Sequence, residues 1–204
     1  FFDGREEWRN LEIDPPSGVV EKVVKKGQED KSLQYLVFHG DFDYNSKNAM
    51  ELDAVGRILS TRLLEVIRED KSSVYSIGAR PSTSKYPEEE YSVSIYYGTA
   101  PEKLEELKSA VFDEIMDFAE NGPSEDELAK AKEKMLRERE ISLRENGFWL
   151  RILSNTYYLK DGDFSKFGTY NSIVEEMTTE SIQNAFKKYF DFDNYVSVAL
   201  RPGE

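Results

Sequence analysis

Arg68 and Tyr75 stand seven residues apart in LSTRLLEVIREDKSSVYSIGAR, the stretch from residue 59 to 80. Apolar residues at helical spacing up to Val66, followed by a β-branched and aromatic run, place a helix end near Asp70 and a strand start near Ser73. Such a turn would hold a guanidinium and a phenol close together, two hydrogen-bond donors able to clamp a peptide carbonyl. The same residues also have an ordinary reading. A cation near a helix C-terminus gains about 0.3–1 kcal/mol from the macrodipole, and a tyrosine suits a strand. Spacing alone leaves both readings open.

Other chemistries are poorly served by this chain. Zinc-assisted hydrolysis needs two imidazoles one helical turn apart and a carboxylate base, as in HExxH or HxxEH. His39 is the one histidine, it ends an apolar strand beside Gly40, and there is no cysteine. A strand-end histidine bonded to its neighbours is the ordinary expectation for it. DFDYN at 41 to 45 resembles the start of a calcium loop, but Ser46 replaces the turn glycine and Leu52 the final glutamate, so that signal fails. The acidic turns Asp161-Gly162-Asp163 and Asp191-Phe192-Asp193 suit local caps better than ligands. No G-x-S-x-G elbow, phosphate loop or G-x-G-x-x-G is present. The mixed charges from Lys130 to Arg144 are most simply a solvated helix face.

The elements that must position these residues follow from periodicity. Residues 1 to 18 end in Asp14-Pro15-Pro16-Ser17-Gly18 and suit a linker from something upstream. VVEKVV and LQYLVFHG predict two strands, and Asn45 predicts the cap of a long helix whose apolar face is Leu52, Val55, Leu59, Leu63 and Val66. SSVYSIGA and EYSVSIYYG predict two hairpin strands around a Pro/Ser/Thr/Lys loop. Leu104, Leu107, Val111, Ile115 and Phe118 mark the next helix, stopped by Asn121-Gly122-Pro123. Ser124 with Glu127 forms a capping box for a charged helix running to about Glu145. Helices from Trp149 to Leu159, Phe164 to Glu176 and Thr178 to Phe190 precede a last strand, YVSVAL. Strands scattered among helices predict an α+β sandwich, one sheet with helices packed on a face.

Composition bounds the partners. The 204 residues are 39% apolar and 13% aromatic, enough to bury a core. Forty acidic against 27 basic side chains give a net charge of −13, which repels phosphate backbones and argues against nucleic acid. No apolar run approaches the roughly 20 residues that span a bilayer, so the segment is expected to be soluble with no membrane partner. The compartment stays open between cytoplasm and periplasm. The start at Phe-Phe-Asp-Gly-Arg, without an initiator Met, suits excision from a longer protein.

Read in full, residues 59 to 79 resemble the second-domain pattern of the M16 (pitrilysin/insulinase-like) metallopeptidases, in which small-Ser-Arg-Leu leads to Arg-Glu, a short turn and Tyr-Ser. EYSVSIYYGTAPEKLEEL resembles the family's strand, Gly-Thr and Pro-Glu-Lys passage into a helix. GPSEDELAKAKEKM resembles its Ser/Thr-Glu-x-Glu-Leu-x-x-Ala-Lys stretch, and Thr178 through Tyr189 its pre-terminal helix. The resemblance covers about residues 17 to 203 and implies a largely antiparallel sheet with helices packed on one face. It further implies a domain over residues 19 to 204 that binds peptide substrate, with Arg68 and Tyr75 donating to substrate carbonyl groups. Zinc would be held by a catalytic half carrying HxxEH, on the same or another chain, and not by this segment. The rival expectation is a non-catalytic interaction or scaffold subunit with the same fold, since fold alone does not fix function.

Overall fold

The computed structural model describes residues 11, 13–69, 76–160, 162–165 and 167–203, with the backbone alone at 67–69 and 160. Among the described residues five strands make one sheet: β1 (Val19–Lys25), β2 (Ser32–Asp41), β3 (Ala79–Ser84), β4 (Glu90–Thr99) and β5 (Tyr195–Arg201). Their spatial order is β1-β5-β2-β4-β3. The pair β1–β5 is parallel, and the pairs β5–β2, β2–β4 and β4–β3 are antiparallel. Among the described residues six α-helices accompany it: α1 (Ser46–Glu69), α2 (Leu104–Asn121), α3 (Glu125–Ser142), α4 (Asn146–Lys160), α5 (Tyr170–Glu176) and α6 (Thr179–Tyr189). This is the expected α+β arrangement. None of the helices is long and apolar enough to cross a membrane.

Period-two alternation divides the sheet into two faces. On β2, Gln34, Leu36 and Phe38 are buried beneath the helices, as are Tyr91, Val93, Ile95 and Tyr97 on β4. The alternate residues form the open face, where Tyr35 lies opposite Tyr96, Val37 opposite Ser94 and His39 opposite Ser92. α1 supplies the central core stripe: Leu52, Val55, Leu59 and Leu63 are all fully buried. Its start is fixed by Asn45, whose Oδ1 accepts the Asn48 N–H at 2.9 Å. α6 seals the other side through aromatic stacking, with the Phe186 and Phe190 rings 4.0 Å apart and Phe190 4.8 Å from Phe38.

The third strand departs from expectation. SSVYSIGA is the expected strand; its residues 72–75 lie outside the described residues, and β3 spans Ala79–Ser84, taking up part of the Pro/Ser/Thr/Lys stretch. The reason is its edge position. Pro81 has no backbone N–H to donate, and a sheet edge is where that loss costs little. Ser76, Ile77 and Gly78 carry no strand pairing. The charged helix also stops earlier, at Ser142, and the expected helix from Phe164 divides into a short 3-10 turn over Phe167–Thr169 followed by α5.

Candidate functional site

α1 and β3 are the elements on either side of the Arg68–Tyr75 stretch, and their junction is tightly fixed. A Cβ at Gly56 would lie 2.4 Å from both Cδ and Cγ of Pro81, so only glycine lets the helix cross the strand this closely. One turn later the Ser60 hydroxyl donates to the Gly56 carbonyl at 2.6 Å and accepts the Ala79 N–H at 2.9 Å. The first residue of β3 is thereby bonded to the helix. Arg62 anchors the outer side of α1 to α2 and α3 through Glu114, Asp117 and Glu127. Gly122 adds its carbonyl to the same guanidinium, and the Phe118 ring lies 4.7 Å beneath it.

Arg68 sits in the last turn of α1, by its backbone. Its side chain and the whole of Tyr75 lie outside the described residues, so no distance joins the two. The described neighbours of that last turn, Leu64 and Glu65, are exposed.

His39 occupies the end of β2 and is buried, and its Nε2 has no hydrogen-bond partner among the described residues. It lines a cavity of about 490 Å³ on the open sheet face together with Asp14, Glu88 and Glu90. The carboxylates of those three acids come within 4.8 Å of one another, without an imidazole or thiol in the group. An all-oxygen, largely exposed cluster is a poor match for zinc, which favours nitrogen and sulfur donors. The acidic turns are local: Asp191 accepts the Asp193 N–H at 2.8 Å, and Asp163 accepts the Ser165 N–H at 2.8 Å. Asp43, in the calcium-like stretch, accepts from Asn45 on its own loop and from Asn48 in the first turn of α1.

A second cavity, also about 490 Å³, lies among the N-terminal end of α1, α3, α4 and α5. It contains a residue that the charge pattern concealed. Arg139, read from sequence as part of a solvated face, is half-buried, with Phe148, Tyr170 and Phe167 at 4.6, 4.8 and 5.3 Å from its guanidinium carbon. Burial among these rings pushes its pKa down. The aromatic spacing gave no signal, because Phe148 and Tyr170 belong to helices that meet α3 only in the folded chain.

Comparison with known proteins adds the lineage. Residues 5–135 match the description "Peptidase M16 inactive domain". The "Uncharacterized zinc protease YmxG" of Bacillus subtilis is 23% identical over 197 residues, covering 93% of this chain and 46% of that protein. The chain thus spans about half the length of this curated relative. A protease from Helicobacter pylori superposes with a TM-score of 0.82 at 15% identity, over 99% of this chain and 49% of that one. A peptidase M16 inactive domain from Pseudomonas fluorescens does so with a TM-score of 0.78 at 19% identity, over 94% and 46% of the two chains.

Proposed function

Because the chain belongs to the M16 peptidase family through that family's inactive-type domain, we propose that it is the substrate-binding, zinc-free segment of a zinc metallopeptidase. The observation that carries this reading is the pairing of the family match with the donor inventory: one histidine, buried at a strand end, and no imidazole or thiol in the described acid cluster. On this reading residues 19 to 204 are the domain and residues 1 to 18 lead into it. The catalytic half lies elsewhere, on the same chain or another, and zinc bound there supplies the Lewis-acid chemistry.

This segment's task is to hold peptide. Arg68 and Tyr75 donate hydrogen bonds to substrate carbonyl groups beside the scissile bond. Donors fixed before the reaction are worth about 2.7–4 kcal/mol each when they meet the developing oxyanion. The locked junction at Gly56, Ser60 and Ala79 supports the reading, since a clamp spanning a helix end and a strand start needs both elements held rigidly.

Peptide hydrolysis by the complete parent assembly tests the reading, comparing wild type with Arg68→Ala/Tyr75→Phe at equal zinc content and confirmed folding. A fall in kcat/KM of about a hundredfold, roughly 2.7 kcal/mol, assigns the pair to substrate or transition-state binding. Unchanged hydrolysis would assign the segment to a scaffold role instead.

A further inference from the structure

The cavity around Arg139 has a composition that the peptide-clamp reading does not use. It is lined at the N-terminal end of α1 by Ser46, Ala49 and Met50, whereas Arg68 lies in the last turn of the same helix. The 19 residues from Ala49 to Arg68 rise about 28 Å at 1.5 Å each, so the two places are separate. Two cations line the cavity, Arg139 from α3 and Lys85 from the β3–β4 connection. In a chain of net charge −13 a pair of cations on one cavity wall stands against the prevailing field.

Neither cation is consumed by a carboxylate. Lys85 gives one bond, from Nζ to the Leu159 carbonyl at 2.6 Å, and an ammonium has three donors. The Arg139 guanidinium has no ion pair or hydrogen bond to a protein group among the described residues, although its backbone carbonyl accepts the Leu143 N–H. Aromatic rings are its company, and rings against a guanidinium take its π-faces while leaving its N–H edge to donate. Asp163, the acid on the cavity wall, is bonded to the Ser165 N–H. The first turn of α1, which also faces the cavity, contains no acidic residue of its own, and Asp43 just before it is bonded to the Asn45 and Asn48 side chains. Asn45, Thr156 and Thr169 add polar groups to the wall, and the rest of the lining is apolar or aromatic, including Met50, Phe164, Phe167 and Ile173. A volume of about 490 Å³ suits a small-molecule-sized group.

We propose that this cavity binds a carboxylate carried on an apolar or aromatic body, with Arg139 and Lys85 taking the charge and the Phe164, Phe167 and Ile173 side chains packing the body. The carboxylate comes either from a free organic acid or from the C-terminus of a peptide. In both cases Arg139 is the primary contact, because its planar edge can meet both oxygens at once.

Titration of the isotope-labelled chain with N-acetyl-phenylalanine, N-acetyl-phenylalanine amide and a hexapeptide ending in a free phenylalanine carboxylate tests this by amide chemical shifts. The acid is expected to give saturable shifts at Ala49, Phe167 and Tyr170, with the amide about tenfold or more weaker because a charge-assisted bond is lost. A hexapeptide that binds as tightly as the acid identifies a peptide terminus as the source; one that does not bind identifies a free acid. Arg139→Gln should weaken acid binding about tenfold and Arg139→Lys nearly as much, since lysine lacks the planar edge. Lys85→Gln, on an inter-strand loop, provides a second variant should Arg139→Gln fail to fold, and should weaken the acid without changing the amide. Absence of saturable shifts, equal affinity for acid and amide, or wild-type affinity in the folded variants would overturn the proposal.

Discussion

The Arg62 guanidinium holds both carboxylate oxygens of Glu127, Nε donating to Oε1 at 2.6 Å and Nη2 to Oε2 at 3.0 Å. Glu127 simultaneously closes the capping box of α3, accepting the Ser124 N–H at 2.7 Å. One carboxylate thus ties the start of α3 to the middle of α1, and the helix carrying Arg68 is positioned through it. Burial raises the Glu127 pKa, but the Arg62 and Ser124 bonds outweigh it and bring the value down to about 2 from 4.5.

That depression fixes a pH dependence. A carboxylate with a lowered folded pKa contributes stability above its unfolded value, and the contribution is lost as pH falls from about 4.5 toward about 2. After allowance for partial exposure it amounts to about 1–2 kcal/mol. Glu114, on the same guanidinium, opposes this, because burial pushes its pKa up despite the pull of Arg62. Glu127→Gln should therefore lower stability at neutral pH and flatten the acid limb between these limits. Arg62→Ala leaves three carboxylates facing one another and should cost more, about 3 kcal/mol. Urea denaturation across the pH range, with an unchanged m-value, measures both.

Gly56→Ala probes the crossing of α1 over β3. The added methyl would meet a proline ring, which cannot swing aside as a flexible side-chain end would. Overpacking of this kind costs about 1–3 kcal/mol, against the slight gain that alanine brings to a helix interior. The expected result is a lowered midpoint in thermal or urea unfolding. A stability equal to or above wild type would show that β3 moves freely away from the helix.

Alkaline pH should loosen the core from the sheet side. Burial, together with Asp191, Tyr189 and Asp41, pushes the Tyr91 phenol up to about 12, and burial drives Tyr97 in the same direction. A raised folded pKa means that stability is complete below the unfolded value of 10.0 and is lost as pH climbs from there toward about 12. Tyrosinate absorbance should show these phenols ionising late, and Tyr91→Phe should make the alkaline unfolding limb shallower.

Local signals made most of this fold legible in the sequence. Asn45 before the apolar stripe from Leu52 to Leu63 marked α1, and Ser124 with Glu127 marked α3, because a cap and a period are both written within a few residues. The extent of β3 to Ser84 was not legible because an edge strand of Ser, Thr and Pro has no apolar alternation, and its register is set by β4 across the sheet. The roles of Arg62 and Arg139 were hidden for a related reason. Their partners lie 52 or more residues away for Arg62, and around Arg139 the rings converge only when α4 and α5 fold back against α3. For the pair Arg68 and Tyr75 the expectation rests on the family resemblance, and the Arg68 side chain and Tyr75 lie outside the described residues.

Ser60→Ala separates positioning from stability at the proposed clamp. The hydroxyl accepts the Ala79 N–H at 2.9 Å, so its removal leaves the first donor of β3 without that bond while the packing of Leu59 and Leu63 is retained. An unsatisfied backbone donor costs about 1–3 kcal/mol when buried, and here Ala79 itself is buried. Were Ser60 merely structural, peptide hydrolysis by the parent assembly would track the folded fraction alone, with kcat/KM per folded molecule unchanged. If the α1–β3 junction positions Arg68 and Tyr75, kcat/KM per folded molecule should fall about tenfold, since small misplacements of donors cost rate steeply. Ser60→Thr retains the hydroxyl and should recover most of that loss, whereas Ser60→Cys, a poor hydrogen-bonding substitute, should not.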